Sequence, residues 1–249
     1  MTKADYYRST LQNLDDWDKF LLKESGLPGP RGNLELAQVV ADLGEEKLFM
    51  RYLAYDAVIA PTNSPYEFLA FCGVVGLGKL LAQGQTKQFR TLQRCASDPR
   101  WRIREGVAMA LQRLGEKDMD SLLRAMEGWS KGNLLEQRAA AAALCEPKLL
   151  DEKRHVRQVL SILNAITASV PKVQDRKSDD FQALKKGLGY CWSVAVAALP
   201  EEGKRKMEKW FSSHDKDILW IMRENLKKDR LTRIDANWVA ASRERLSHE

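Results

Sequence analysis

The feature that most constrains this chain is the spacing of its apolar residues, which recur at intervals of three or four along most of its length. One such run, between residues 6 and 22, is Tyr7, Leu11, Leu14, Trp17, Leu21. This interval keeps apolar side chains on one face of an α-helix, whereas a strand would need alternation at every second position. No segment alternates for long enough to indicate a strand. The sequence therefore predicts an all-α fold.

Capping residues, glycine and proline divide the periodic segments into many helices joined by short loops. Gly26 and Pro28 end one segment, and Ser64 followed by Pro65 starts another. Short connections favour antiparallel neighbours. We expect one helical domain over residues 1–249, with the polar segment 170–178 as the place for an internal boundary.

Three segments carry a repeat signal. An aspartate at a turn, an apolar residue next to an arginine, and then small residues and leucine occur in Ala96–Leu111. His214–Leu226 repeats this pattern, and Gln137–Leu144 does so more weakly. The pattern resembles the signature of HEAT repeats, which are armadillo-like helix pairs. The resemblance implies an α-α superhelix of stacked antiparallel pairs, here with irregular repeats.

Within the HEAT group, the chain is similar to the alkylpurine DNA glycosylases of the DNA alkylation repair branch in size, helical build and basic character. That resemblance implies the architecture and an affinity for DNA. The branch uses an aspartate within a cradle of tryptophans and an arginine. Trp101 lies beside Arg102, and Trp220 precedes Arg223, but no aspartate follows in the next turn of either segment. We assign no catalytic residue on this basis, and whether the chain is an enzyme stays open.

The charge balance is compatible with two kinds of surface. The chain has 40 basic and 34 acidic side chains and a net charge of +6. An excess of cations suits an acidic partner such as nucleic acid, whereas nearly balanced numbers suit a solvated surface of mixed charge.

A row of cations recurs on the second helices of the presumed repeats, where it would line the concave face of a superhelix. Its members are Arg102, Arg104, Arg138, Arg223, Lys227. Such a row could follow a phosphate backbone. The alternative is that each cation forms a structural ion pair or caps carbonyl groups.

Three further residues are candidates for partner binding. Trp101 and Trp220 flank the repeat arginines, so they could stack on bases, or they could pack between repeats. Arg31 lies in a loop rich in glycine and proline just before a helix, where an anion could bind. An ordinary connection between helices is the alternative for this loop.

Other patterns exclude several kinds of site. The four cysteines are far apart and have no histidine near them in sequence, so we expect buried free thiols and neither a zinc site nor disulfides. Gly73–Lys79 matches the first part of a phosphate-binding loop, but Leu80 follows where serine or threonine is needed and no strand precedes it. We therefore interpret this segment as a helix whose glycines allow close packing. The sequence indicates no metal and no cofactor.

The start of the chain is polar and shows no signal peptide, and no stretch approaches 18 apolar residues. These features predict a cytoplasmic protein that does not span a membrane. The repeat signal, combined with the absence of catalytic motifs, favours a scaffold that binds a macromolecular partner, a protein, on its concave face. The alternative is a nucleic-acid-binding protein related to the HEAT-like glycosylases.

Overall fold

All regular structure in the part of the chain that the structure describes, residues 2–247, is helical, which confirms the all-α prediction. The structure is a computed structural model. Its α-helices are α1 (Lys3–Gln12), α2 (Asp18–Glu24), α3 (Leu34–Leu43), α4 (Glu46–Leu53), α5 (Pro65–Ala82), α6 (Gln88–Ala96), α7 (Trp101–Lys117), α8 (Met119–Trp129), α9 (Leu134–Leu144), α10 (Lys153–Ser169), α11 (Asp179–Ala198), α12 (Pro200–Glu208), α13 (Lys216–Leu226), α14 (Asp229–Ile234) and α15 (Ala236–Ser247). Short 3-10 helices occur at Pro147–Leu149 and Val170–Lys172.

The helices belong to two compact units, one up to Lys117 and one from Asp118 onward. In unit 1, α5 packs against both α3 and α7, and α1 packs on α3. Helices α4 and α6 lie against α5, and α6 also contacts α7. Alternate helices are therefore neighbours, and the shorter helices between them cover the long ones.

Unit 2 repeats this arrangement with other helices. Here α11 packs against α9 and α13, and α15 packs on α13. Helices α8, α10 and α12 are also neighbours of one another in that order. The segment 170–178, where the sequence suggests an internal boundary, lies within this second unit.

Several of the helices begin with residues that favour a helix N-terminus. The Ser64 hydroxyl accepts a hydrogen bond from the Glu67 backbone N–H, and Pro65 is the first residue of α5. The sequence predicts that the Glu67 carboxylate completes a capping box with Ser64. In the structure this carboxylate instead accepts from the Asn63 backbone N–H at 2.7 Å, so it is directed one residue further back.

The glycine-rich segment of α5 confirms the packing interpretation. Residues 73–79 lie inside a buried helix and form no loop. A Cβ atom at Gly76 would overlap the Phe49 ring, and one at Gly78 would overlap the backbone of Ala110. These glycines therefore let α4 and α7 approach α5 more closely than any side chain would permit. Lys79 donates hydrogen bonds of 2.8 Å to two backbone carbonyls and so has a structural role.

Helix α5 also corrects the statement about apolar length. It has 18 residues with a mean hydropathy of 1.3, so by length and composition alone it could cross a membrane. Its share of buried residues is 78%, which is what the central helix of a folded core also shows. The sequence count missed it because Glu67 and Lys79 interrupt the apolar run near its two ends.

The first periodic segment is broken in two, although its apolar spacing suggests continuity. Helix α1 ends at Gln12 and α2 begins at Asp18. The residues between them include Asn13, Asp15 and Asp16, whose side chains compete with helical hydrogen bonding.

Candidate functional site

Arg102, a member of the predicted cation row, lies inside unit 1. Only 5% of its surface is exposed. Its guanidinium forms an ion pair of 3.1 Å with the buried Glu67 and donates to the Gly29 carbonyl at 2.6 Å and to Asn63 Oδ1 at 3.2 Å. The ring of Trp101 covers its outer side at 4.4 Å. Arg102 therefore connects two loops to the starts of α5 and α7.

Arg104 and Arg100 also bind backbone carbonyls. Arg104 donates to the carbonyls of Asp98 and Pro99. Arg100, which the sequence analysis did not select, is buried beside the Asp98 carboxylate and donates to three carbonyls of the preceding loop, at Tyr55, Asp56, Ala60. The Asp98 carboxylate accepts hydrogen bonds from the Arg100 guanidinium and does not cap α7, which begins at Trp101. Only the fold identifies Arg100, because the carbonyls that it binds are 40 or more residues away in sequence.

The loop that Arg100 holds carries exposed apolar side chains. Val58 is 88% exposed and Ile59 is 58% exposed. The Asp56 carboxylate accepts hydrogen bonds from both of their backbone N–H groups, so the loop has a fixed shape. Trp101, 42% exposed, follows Arg100 directly, and Tyr66 is exposed where its ring stacks on that of Tyr55. We call the four exposed residues the apolar patch: Val58, Ile59, Tyr66, Trp101.

Arg31 lies where the sequence predicts, in an exposed loop before α3. Its cleft of about 530 Å³ also receives the side chains of Lys3 and Lys23. The Asn33 side-chain oxygen caps the helix by accepting a hydrogen bond from the Leu36 backbone N–H. The loop starts at Gly26, whose φ of +73° favours glycine. The glutamates on the same cleft, Glu24 and Glu35, offset part of its positive charge.

In unit 2 the predicted residues have separate surroundings. Arg223 donates to the Leu246 carbonyl and so connects α13 to α15. Trp220 packs over α11, where the Lys185 ammonium lies 4.5 Å from its ring centre. The alkyl part of Arg138 lies against α11 at Gly187. Each of these three side chains thus has contacts within unit 2.

Lys227 is exposed and pairs with Glu224 one turn earlier. It lines a cavity of about 720 Å³ that we call the cationic cleft. The lining residues are Pro147, Leu150, Asp151, Val194, Ala197, Ala198, Lys227, Lys228, Asp229, Arg230, Arg233. Four cations and two carboxylates thus share one concave surface, whose remaining wall is made of small apolar residues.

The thiols show no sign of activation. Burial raises the pKa of Cys72 and Cys145 well above the usual value, and raises that of Cys95 to about 11. All three thiols are therefore protonated at neutral pH, and a protonated thiol is a poor nucleophile. Within residues 2–247, no group of three His, Cys, Asp or Glu side chains is placed to hold a metal ion.

The chain matches no protein-family model and no curated protein sequence.

Proposed function

We propose that this chain is a non-enzymatic helical scaffold that binds a protein partner, and that its helices stack in pairs as in HEAT or armadillo repeats. The packing of alternate helices in each unit supports the repeat arrangement, since stacked helix pairs place every second helix in the same row. In a superhelix of this kind, the concave face is the surface on which we expect the partner.

The observation that carries the proposal of a protein partner is the apolar patch of unit 1. Isolated exposed apolar residues are ordinary, but here Val58 and Ile59 are exposed on one loop, and an exposed aromatic residue lies at each of two points that connect to it. Trp101 follows Arg100, which binds the loop carbonyls, and the Tyr66 ring stacks on that of Tyr55. A rigid surface loses little conformational entropy on binding, and tryptophan and tyrosine are enriched among residues that dominate protein interfaces.

The test is affinity capture from an extract of the source cells with four purified forms of the chain. We expect Val58→Asp and Ile59→Asp each to lose a protein that the unsubstituted chain retains, because a carboxylate would be desolvated in the interface. Met50→Asp is the matched control, since Met50 is also exposed in unit 1 but lies on α4, outside the patch. Equal capture by all forms would contradict the proposal.

Nucleic-acid binding is the second candidate, as the sequence resemblance to the glycosylase branch suggests. The cationic cleft favours it, because Lys227 lies there with three other cations. Duplex DNA would be titrated into the chain at about 50 mM and about 200 mM salt, and release of counterions should weaken real binding between the two by roughly tenfold or more. Binding that is absent at the lower salt would exclude this candidate.

A further inference from the structure

We propose that the cationic cleft of unit 2 binds an organic phosphate of the nucleotide class. The phosphate would contact Lys228, Arg230 and Arg233, and the ring system would lie on the apolar wall. This inference does not depend on protein binding by unit 1.

Three of the four cations of the cleft form no ion pair with any described residue. Within residues 2–247, no carboxylate lies within ion-pair distance of Lys228, Arg230 or Arg233. Arg230 donates instead to the Tyr190 hydroxyl, which fixes the position of the guanidinium without pairing it with a carboxylate. A phosphate that reaches these groups would meet cations that need not first give up another anion.

The turn between α13 and α14 brings the cations together. Lys227 and Lys228 follow the last residue of α13, and Arg230 and Arg233 lie on the short helix α14. The short segment 227–233 therefore supplies all four cations that line the cavity. Of these only Lys227 is paired with a carboxylate, that of Glu224.

The apolar part of the lining includes two alanines and comes from two segments. The end of α11 supplies Val194, Ala197 and Ala198, and the short 3-10 turn before α10 supplies Pro147 and Leu150. Small residues leave room for a flat ring. A volume of about 720 Å³ falls within the range of roughly 300–1,000 Å³ that is typical of small-molecule sites.

Two carboxylates in the cleft favour an organic phosphate over free phosphate. Asp151 and Asp229 line the same cavity, where they would repel a bare anion. They can accept hydrogen bonds from hydroxyl or amino groups, which a nucleotide carries on its sugar and base. The exposed Tyr190 ring, 4.7 Å from the Arg230 guanidinium, adds an aromatic surface beside the cations.

The experiment is calorimetric titration of the full chain with adenosine monophosphate. Substitution of two cleft cations, Lys228→Gln with Arg233→Gln, should weaken binding by roughly 100-fold, since each charge-assisted contact contributes about tenfold. The matched control is Arg205→Gln with Lys209→Gln. It makes the same change in charge at exposed positions on and after α12, outside the cleft, and should bind as the unsubstituted chain does.

Further titrations separate the phosphate sources and the two proposals. Inorganic phosphate that binds as tightly as the nucleotide, or binding only by an oligothymidylate or by vesicles of phosphatidylinositol phosphate, would overturn the proposal. So would equal nucleotide affinity in the cleft variant and its control, or no nucleotide binding at millimolar concentration. Val58→Asp should leave nucleotide binding unchanged, so a failure of the protein-partner proposal would be seen separately.

Discussion

Two short runs of cations, one in each unit, look alike in sequence but have opposite surroundings. Arg100 and Arg102 in unit 1 are two residues apart, as are Lys228 and Arg230 in unit 2. The first pair is buried and bound to carbonyls and carboxylates, whereas the second lines an open cavity. The type and spacing of cations in the sequence therefore do not show whether they stabilise the fold or line a cavity. Their neighbours in space decide.

The difference has an energetic consequence. A buried guanidinium is stable only while its partners compensate its charge, so it behaves as a fixed connection between segments. An exposed cation keeps its hydration and adds little to stability, but it can exchange water for a phosphate group. Substitutions in the two units should therefore change different measured quantities.

The largest effect is expected at Arg102. Arg102→Met would leave the buried Glu67 carboxylate without its ion-pair partner, so we expect the free energy of unfolding to fall by about 3–5 kcal/mol in urea denaturation. Glu67→Leu combined with Arg102→Met should recover much of this loss, because no buried charge remains. If Arg102→Met alone were as stable as the unsubstituted chain, the ion pair between Arg102 and Glu67 would not be needed for the stability of unit 1.

A somewhat smaller effect is expected at Arg100. Arg100→Met removes hydrogen bonds to three loop carbonyls and the partner of Asp98, which should lower the free energy of unfolding by about 2–3 kcal/mol. Hydrogen exchange of the backbone N–H groups should quicken at residues 56–60 before it does in α5. Unchanged exchange in this loop would show that other contacts hold it.

The stability of unit 2 should depend on pH, because the carboxylates of Asp215 and Asp217 form ion pairs with Arg176 there. Hydrogen bonds from Arg176 lower the pKa of Asp215 below the usual 3.8. For Asp217, burial acts in the opposite direction, but hydrogen bonds from Lys185 and Arg176 outweigh it and lower the pKa as well. A lowered pKa in the folded state stabilises the protein above the unfolded value near 3.8, and this stability is lost as the pH falls through the folded value.

The urea midpoint should accordingly fall more steeply between about pH 4 and pH 2 for the unsubstituted chain than for Asp215→Asn. Asparagine can still cap α13 but does not titrate. Parallel curves for the two forms would indicate that this cluster does not contribute to acid unfolding.

The smallest effect is expected in the cationic cleft. Lys227→Gln removes only an exposed pair with Glu224, so the free energy of unfolding should change by less than about 0.5 kcal/mol. This change in the free energy of unfolding would be measured by thermal unfolding, with circular dichroism as the signal. A loss close to that of Arg102→Met would mean that the two units do not differ as described.

Much of the fold followed from local patterns. Helical periodicity predicted the all-α class, and Ser64 with Pro65 marked the start of α5 correctly. The motif at Gly73–Lys79 was interpreted correctly because the lack of a following hydroxyl residue is visible in the sequence. The break between α1 and α2 was missed, since apolar spacing continues across it.

The candidate sites could be predicted only in part. Lys227 was selected from its place in a repeat, but the other cations of the cleft were not, because their common cavity depends on how α14 turns back toward α11. The apolar patch was missed for a similar reason: Val58 and Ile59 are ordinary apolar residues in sequence, and nothing local shows that they face solvent.

The sequence by itself determined that this chain forms helices, where several of them begin, and that its glycines in α5 serve packing, because these properties depend on residues a few positions apart. Only the tertiary structure decided which cations are buried and which line a cavity. That outcome depends on groups brought from 35 or more residues away, such as the Glu67 carboxylate for Arg102 and the Ala60 carbonyl for Arg100. Local spacing carries no information about such partners.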